Sequence, residues 1–203
     1  MTILFVRHAE STANVDRIVS NRDSPHPLTE RGVQQVEDLA ASLKGRKISK
    51  IYSSPIIRAR QTAQILADRL NLDVELADGL REYDCGELEG KGDDETWREH
   101  YRVVNAWLVD QEFDEKSPGG EDLHDIMRRF YPFVSSLRQI HGEDEAVLLV
   151  GHGGTYRAMM PMLCDNVPFS FVVTALMPNT VVIEVEVWEH VFECVRWNGL
   201  PVP

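Results

Sequence analysis

Cysteine is scarce in this sequence, and the three residues present lie far apart, at Cys85, Cys164 and Cys194. An odd number of cysteines without a CxxC spacing supports neither a disulfide framework nor a zinc site. The sequence therefore predicts buried or idle thiols.

Long apolar runs and an excess of positive charge are also missing. No run reaches the roughly 18 to 20 apolar residues that span a bilayer, and the chain starts without a basic leader. Asp and Glu number 33 against 21 Lys and Arg, a formal net charge of −12. This charge disfavours nucleic acid or an anionic membrane as the principal partner. We expect a cytoplasmic protein that binds neither.

Strand and helix patterns alternate along most of the chain. The segments TILFV, ISKIYSS, DVELA and AVLLVGH are typical of strands, and LTERGVQQVEDLAASLKG, IIRARQTAQILADRL and GGTYRAMMPML are typical of helices. Thr29 is the expected N-cap of the first helix, and Ser54 with Pro55 the expected start of the second. TVVIEVEVW and VFECVRW predict a terminal hairpin.

These patterns predict an α/β fold, a three-layer α/β/α sandwich with a mostly parallel sheet and an antiparallel C-terminal edge. With 203 residues, 43% of them hydrophobic, the chain suits one core, so we expect a single domain over residues 1–203. Residues 85–120 fit the alternation poorly and are interpreted as a cap-like insertion.

Cations and imidazoles follow three of the predicted strands. Arg7 and His8 come after the first strand, Arg58 shortly after the second, and His152 with Gly153 after AVLLV. Ligands of open α/β sheets bind outside the carboxyl ends of parallel strands, where helix N-termini attract anions. Arginines that can hold an anion with paired hydrogen bonds, beside an imidazole free to attack, predict a phosphate site.

Several motifs occur here in the order seen in the histidine phosphatase superfamily. They are VRHAES with Asn14, PLTERG with Gln35, SSPIIRARQTA, LREYDCGELEG, PGGED and VGHGGTYRAM, and they extend from Ile3 to about Asn179. The chain resembles in particular the branch of phosphoglycerate mutases and related phosphatases. The resemblance implies a phosphoglycerate mutase-like fold.

The resemblance also implies a role for each site residue. His8 would be the nucleophile that is phosphorylated during turnover. Glu82 would be the general acid and base, with Glu87 and Glu89 close by in sequence as alternatives. The groups that would bind the phosphoryl group are Arg7, Asn14, Arg58, His152 and the backbone N–H of Gly153.

The residue types suit this chemistry. A neutral imidazole, with an ordinary pKa of about 6.5, is a competent nucleophile near neutral pH, and covalent capture divides one displacement into two. Two arginines and a cationic His152 would stabilise the charge that spreads over three phosphoryl oxygens, as magnesium does elsewhere. We therefore expect no metal ion and no cofactor.

The segment after Asn14 departs from the family pattern. RIVSNRDSPHPLT replaces the usual phenylalanine-any-glycine-tryptophan segment, so Ser20 or Asn21 is expected to supply the phosphate contact there. Arg22 is expected to reach a further anionic group of the substrate. The remaining histidines match no motif position and are expected at the surface; they are His26, His100, His124, His141 and His190.

Three functions stay open at this point. The first is a metal-independent phosphatase that acts on a small phosphorylated metabolite through phosphohistidine on His8. The second is a 2,3-bisphosphoglycerate-dependent phosphoglycerate mutase, and the third a non-catalytic phosphate-binding module.

The composition of the insertion favours the phosphatase. Residues 85–120 are rich in Asp and Glu and contain two arginines, Arg98 and Arg102, so acidic walls are expected to repel a bisphosphate. Apolar residues of the terminal hairpin either pair edges in a homodimer or cover the core.

Overall fold

The computed structural model contains one sheet of seven strands, in the order β3-β2-β4-β1-β5-β6-β7, and describes residues 1–22 and 25–202. The strands are β1 Thr2–Arg7, β2 Ile48–Ser53, β3 Val74–Leu76, β4 Ala146–Gly151, β5 Val182–Trp188, β6 Val191–Trp197 and β7 Leu200–Pro201. The strands β1 to β4 pair in parallel, and β5 to β7 extend the sheet antiparallel from β1. The predicted mostly parallel sheet with an antiparallel C-terminal edge is confirmed.

Side chains that alternate along β1 divide the core into two layers. Ile3 and Phe5 pack in the larger layer with the helices at 123–140 and 153–163, whereas Leu4 and Val6 pack in the smaller layer with the helices at 30–43 and 57–70. The three-layer arrangement is therefore confirmed. The helices are α1 Thr12–Asp16, α2 Glu30–Leu43, α3 Ile57–Leu70, α4 Asp94–Asn105, α5 Leu123–Ile140, α6 Gly153–Leu163 and α7 Phe169–Thr174.

The two predicted helix starts have different outcomes. Thr29 caps α2 as expected, and its side chain accepts the N–H of Gly32 at 2.9 Å. The prediction for α3 is wrong, because the helix starts only after Ile56, which is its N-cap. The hydroxyl of Ser54 is instead 2.8 Å from the ring of His152, so this serine belongs to the site at the strand ends.

The C-terminal edge contains one strand more than predicted. The hairpin of β5 and β6 is confirmed, and Glu189 in its turn has a φ of 56°. A second turn at Asn198 and Gly199, with φ values of 52° and 77°, then leads into β7. Asn-Gly is the strongest short signal for a hairpin, so the sequence itself contains the information for this turn.

Residues 85–120 leave the sheet and return to it at a closed base. The N–H of Glu87 donates to the carbonyl of Pro118 at 2.9 Å, and the N–H of Glu121 donates to that of Asp84 at 2.9 Å. Gly86, with a φ of 57°, lies where these two stretches meet, and a Cβ there would come within 2.1 Å of the Pro118 oxygen. Only glycine fits so close a contact.

The helical part of the insertion consists of α4 and the single π-helical turn that continues it, Ala106–Asp110. One face of this helix, from Trp97 to Leu108, is turned toward the carboxyl ends of the parallel strands and lines a cleft there. Within residues 1–22 and 25–202, no helix has the length and apolar character needed to cross a bilayer.

Candidate active site

A cleft of about 360 Å³ opens at the carboxyl ends of the parallel strands. His152 is fully buried directly behind the cleft, and its ring centroid lies 5.2 Å from that of His8. The predicted site residues on the cleft walls are Arg7, His8, Asn14, Ser20, Asn21, Arg58, Glu82 and Gly153.

His8 follows the last residue of β1, and its hydrogen bonds define which ring nitrogen carries the proton. Nδ1 lies 2.7 Å from the carbonyl oxygen of Ala9, which can only accept, so Nδ1 is the protonated nitrogen. Nε2 accepts a hydrogen bond from Nε of Arg58 at 3.0 Å. Burial, with the charges of Arg58 and Arg7 adding to it, holds the pKa of His8 well below 6.5. The ring is therefore neutral, with its lone pair on Nε2.

Arg58 is buried and Arg7 half-buried, and both arginines are incompletely bonded. One Nη of Arg7 donates to the carbonyl of Met177, but Nε of Arg7 and Nη1 of Arg58 have no hydrogen-bond partner within the described residues. Burial lowers the pKa of Arg7, and that of Arg58 to about 10, against the opposing influence of Glu82. Unpaired buried donors of this kind are costly, and an anion in the cleft would satisfy them.

Gly153, the first residue of α6, lies against Arg7. A Cβ on Gly153 would be 3.1 Å from both Cδ and Nε of that arginine. The absence of a side chain therefore lets the guanidinium approach the first turn of α6, where the helix presents its N–H groups to an anion.

His152 is held by Ser54. The hydroxyl of Ser54 accepts the N–H of Ile56 and lies 2.8 Å from Nε2 of His152, so its own proton is available to that nitrogen. When Ser54 donates to Nε2, the ring proton is on Nδ1, and Nδ1 has no partner in the described part of the chain. Burial and the charge of Arg58 hold the pKa of His152 well below 6.5. The expectation of a cationic His152 is thus wrong for the structure as it stands, although the residue still offers a donor.

Glu82 lies opposite the arginines and is fixed by the first turn of α6. Its carboxylate accepts the N–H of Gly154 at 3.0 Å, the N–H of Thr155 at 2.6 Å and the hydroxyl of Thr155 at 2.9 Å. The alternatives from the sequence lie elsewhere: Glu87 is exposed, and Glu89 accepts the N–H of Asn21 at 2.8 Å. Among the described residues that line the cleft, Glu82 is the one carboxylate.

Asn14 and Ser20, two further residues that are predicted to contact the phosphate, each have a hydrogen-bond donor available. The side-chain oxygen of Asn14 accepts the N–H of Ser11 at 3.1 Å and that of the Asn179 amide at 3.3 Å, which leaves the amino group of Asn14 as a donor on the cleft wall. Ser20 is 3% exposed, and its hydroxyl is buried with no partner within the described ranges.

Asn21 and Arg22 do not make the expected contacts. The amide of Asn21 donates to the carbonyl of Tyr83 at 2.8 Å and to the sulfur of Cys85 at 3.1 Å, so it braces the wall of the cleft. Arg22 is exposed and forms a bidentate ion pair with Asp84 at 3.0 Å. Residues 23 and 24 of the same segment lie outside the described residues.

The wall built by the insertion is aromatic rather than acidic. Trp97, Tyr101 and Trp107 line the cleft, while the acidic side chains of residues 85–120 are absent from the described part of its lining. The expectation of acidic walls is wrong because α4 is amphipathic and its Asp and Glu residues lie on the opposite face. The recurrence of apolar residues every three or four positions in TWREHYRVVNAWL is the signal that indicates this face.

Two further residues line the cleft that the sequence analysis did not assign to the site. Arg157, five positions after His152, lines the cleft and donates to the carbonyl of Ala175 at 2.8 Å. His100 also lines it and stacks on Tyr83 with the ring centroids 5.9 Å apart, and burial lowers its pKa. The expected surface position of His100 is therefore wrong.

The surface expectation is also wrong for His141. Nε2 of His141 lies 2.9 Å from the hydroxyl of Tyr52, and its side chain is only 9% exposed. A histidine packed on a tyrosine that is distant in sequence has no local signature, so motif matching does not identify it.

An open α/β sheet with arginines and buried histidines at the carboxyl ends of its parallel strands is the arrangement of an α/β protein with an anion site. The chain belongs to the histidine phosphatase superfamily (branch 1), whose family model matches residues 3–199. The family expected from the motifs is thereby confirmed.

Relatives in this family have different activities. A 2,3-bisphosphoglycerate-dependent phosphoglycerate mutase of Rhizobium etli is 31% identical over 173 residues, which are 80% of this chain and 79% of the relative. A mycobacterial glucosyl-3-phosphoglycerate phosphatase, solved as a complex with VO3, is 26% identical with a TM-score of 0.84 over 98% of this chain and 99% of its own. Bacillus stearothermophilus YhfR is 29% identical, with a TM-score of 0.82 over 98% and 96% of the two chains.

Proposed function

We propose that this protein is a metal-independent phosphomonoesterase that hydrolyses a small phosphorylated metabolite through a phosphohistidine on Nε2 of His8. One observation carries the proposal. Two buried guanidinium donors without partners in the described residues, Nε of Arg7 and Nη1 of Arg58, surround a neutral imidazole together with the unpartnered Nδ1 of His152. A phosphate dianion satisfies these donors and brings its phosphorus to the histidine lone pair.

In the first half of the reaction, Nε2 of His8 forms a bond to phosphorus while the bond to the leaving oxygen breaks. Glu82, in its protonated form, gives its proton to that oxygen, and an alcohol departs. The Nε–H of Arg58 stops donating to Nε2 of His8 and donates to a phosphoryl oxygen instead. The lone pair of Nε2 is then free at the moment of attack.

In the second half, water attacks the phosphorus of phosphohistidine and the bond to Nε2 breaks. Glu82 accepts the proton of the attacking water, and phosphate leaves with the ring of His8 neutral again. Arg7, His152 and the N–H of Gly153 bind the phosphoryl oxygens in both halves, and Asn14 and Ser20 supply further donors from the opposite wall. Asn21 contributes through the position of the wall.

The distribution of cations favours hydrolysis over the mutase reaction of the Rhizobium relative. A mutase must hold both a carboxylate and a second phosphate group while phosphohistidine is shielded from water. Arg102 is paired with Glu99 at 2.8 Å and Glu115 at 2.6 Å on the outer surface, and Arg98 is exposed. Among the described residues that line the cleft, Arg157 is therefore the one arginine beyond the phosphate site, too few for both groups.

The test combines two assays on one preparation. Phosphate release from p-nitrophenyl phosphate and from a panel of phosphorylated metabolites is measured with EDTA present, beside a coupled phosphoglycerate mutase assay with and without 2,3-bisphosphoglycerate. We expect metal-independent phosphate release and at most trace mutase turnover. Bisphosphate-dependent mutase turnover well above phosphate release would establish the mutase instead, and phosphate binding without either reaction would establish a binding module.

A further inference from the structure

The part of the cleft beyond the phosphate donors is an apolar chamber. Trp97, Tyr101, Val104 and Leu108 recur at spacings of three or four along α4 and its continuation, so they share one face and point into the cleft together. The apolar side chains on the facing walls are Ile18, Val19, Val173 and Met177. Any leaving group that extends from the phosphoryl group enters between these two walls.

The π-helical turn adds an aromatic floor to the chamber. Its wider turn brings Trp107 onto the cleft beside Leu108, although consecutive residues of an α-helix diverge by about 100°. The indole N–H of Trp107 donates to the carbonyl of Glu115 at 2.7 Å, and its ring meets Tyr83 edge-on with the centroids 5.1 Å apart. The floor is therefore rigid, and its polar edge is already satisfied.

The rim of the chamber leaves apolar surface open to solvent. Tyr101 is 55% exposed and Val173 is 43% exposed, and both line the cleft. A flat ring placed against Tyr101 would bury apolar area in the offset or edge-on geometry that aromatic pairs favour. The whole cleft, phosphate end included, has a volume of about 360 Å³, at the small end of ligand sites, so the chamber suits a leaving group of one or two rings.

Arg157 is a cation of the cleft that the phosphate site does not require. Its charge is close enough to Arg7 to lower the pKa of that arginine, and Tyr101 lies near it on the chamber side. One Nη donates to the carbonyl of Ala175 at 2.8 Å, and no ion pair with a carboxylate is found for Arg157 in the described part of the chain. A half-buried guanidinium in this state is suited to a carboxylate of the ligand.

We propose that the leaving group of the substrate carries an aromatic ring that packs on the Tyr101 face of the chamber and a carboxylate that pairs with Arg157. This inference rests on the proposed phosphomonoesterase function and specifies its substrate class. One cation beyond the phosphate donors balances one carboxylate, whereas a second phosphate dianion would leave a charge uncompensated.

The inference is tested with phosphonates that cannot be hydrolysed, because their affinities are independent of leaving-group reactivity. Methylphosphonate, benzylphosphonate and 4-carboxybenzylphosphonate are compared as competitive inhibitors of p-nitrophenyl phosphate hydrolysis. We expect the ring to improve the inhibition constant at least ~10-fold, the scale of burying one aromatic side chain. The carboxylate should add about 10-fold more, the scale of a hydrogen bond to a charged group.

Two variants, each with a matched control, assign these gains to their residues. Tyr101→Ala should remove most of the gain from the ring, whereas Tyr131→Ala, also an exposed tyrosine, should not. Arg157→Met should remove the gain from the carboxylate and leave the ratio of benzyl- to methylphosphonate unchanged, whereas Arg98→Met should change neither. A purely structural role of Arg157 would weaken all three inhibitors by the same factor.

The possible failures are distinguishable. If p-nitrophenyl phosphate is hydrolysed through phosphorylated His8 but benzylphosphonate binds no better than methylphosphonate, the chamber is not the leaving-group site. If the carboxylate gain survives in Arg157→Met, the role of Arg157 is wrong. If no phosphomonoester is hydrolysed and His8 is never phosphorylated, the proposed function itself is wrong.

Discussion

Arg129 and Glu121 form a bidentate ion pair, with both N–O distances at 2.9 Å, behind the loop that carries Glu82. The remaining Nη of Arg129 donates to the carbonyls of Gly79 and Arg81 at 3.0 Å each. The two side chains are about one quarter exposed. Arg129 therefore connects α5 to the backbone that precedes the proposed acid, Glu82. Glu121 belongs to the PGGED motif, so by this geometry the motif helps to position the loop that carries Glu82.

Arg129→Met should lower kcat/KM about tenfold for an alkyl phosphate such as glycerol 2-phosphate, and clearly less for p-nitrophenyl phosphate. The reason is that p-nitrophenolate departs without a proton, so a displaced Glu82 matters little to it. Arg128→Met, at an exposed neighbouring arginine, is the control. Equal losses with both substrates would mean that the ion pair only stabilises the fold.

Phosphate should be found on Nε2 of His8 when the protein is quenched in alkali during turnover. Mass spectrometry of the peptide that contains His8 should show an acid-labile phosphate, because the lone pair lies on Nε2. His8→Asn should abolish both the label and phosphate release, whereas His124→Asn, at an exposed histidine, should affect neither. Phosphate on a serine of the active wild-type protein would contradict this assignment.

Arg58→Ala should lower kcat/KM at least ~100-fold, the scale of one lost transition-state donor. Arg58 is 3% exposed and points at His8, whereas Arg60, two positions along α3, is exposed. Arg60→Ala should therefore change kcat/KM little. A larger loss with Arg60→Ala than with Arg58→Ala would place the phosphate site elsewhere.

Stability should fall in acid because of the buried histidines. Burial lowers the pKa of His8 and His152 in the folded state, whereas in the unfolded chain both titrate near 6.5. The two neutral histidines make their full contribution to the free energy of unfolding above about pH 6.5. Below it, the unfolded chain binds protons that the folded chain does not, so the free energy of unfolding drops by up to about 1.4 kcal/mol per pH unit for each histidine.

Urea unfolding at pH 7.5 and 5.5 measures this effect. Between pH 7.5 and 5.5, the free energy of unfolding of His8→Asn should fall by about 1 kcal/mol less than that of the wild type, because one titrating group has been removed. His124→Asn should lose as much as the wild type. An identical loss in His8→Asn and wild type would show that His8 does not titrate on unfolding.

The parallel part of the sheet and the phosphate end of the site follow from the sequence for a physical reason. Buried strands are continuous apolar runs, and parallel strands necessarily bring their carboxyl ends to one edge. Arg7 ends β1, His8 and His152 directly follow β1 and β4, and Arg58 lies in the first turn of α3 after β2. Their assembly therefore follows from the fold topology.

The chamber does not follow from the sequence, because it depends on how α4 is oriented. Periodicity indicates that Trp97, Tyr101 and Leu108 share a face, but an apolar face can equally pack into the core. The direction of α4 is determined by the backbone hydrogen bonds that close the base of residues 85–120. Bonds between backbone atoms do not depend on side-chain identity, so the sequence does not reveal them. Arg157 is hidden for a related reason, since it lies within the VGHGGTYRAM motif but its place on the helix does not by itself show whether it faces the cleft or solvent.

The hydrogen bond from Arg58 to His8 also restricts which electrophiles can react. While the Nε–H of Arg58 occupies the lone pair of Nε2, the imidazole is masked toward acylating and alkylating reagents. An anionic oxygen competes for the same guanidinium and removes the mask. We therefore expect this histidine to react more slowly with neutral acylating and alkylating reagents than with a molecule whose own negative charge recruits the arginine.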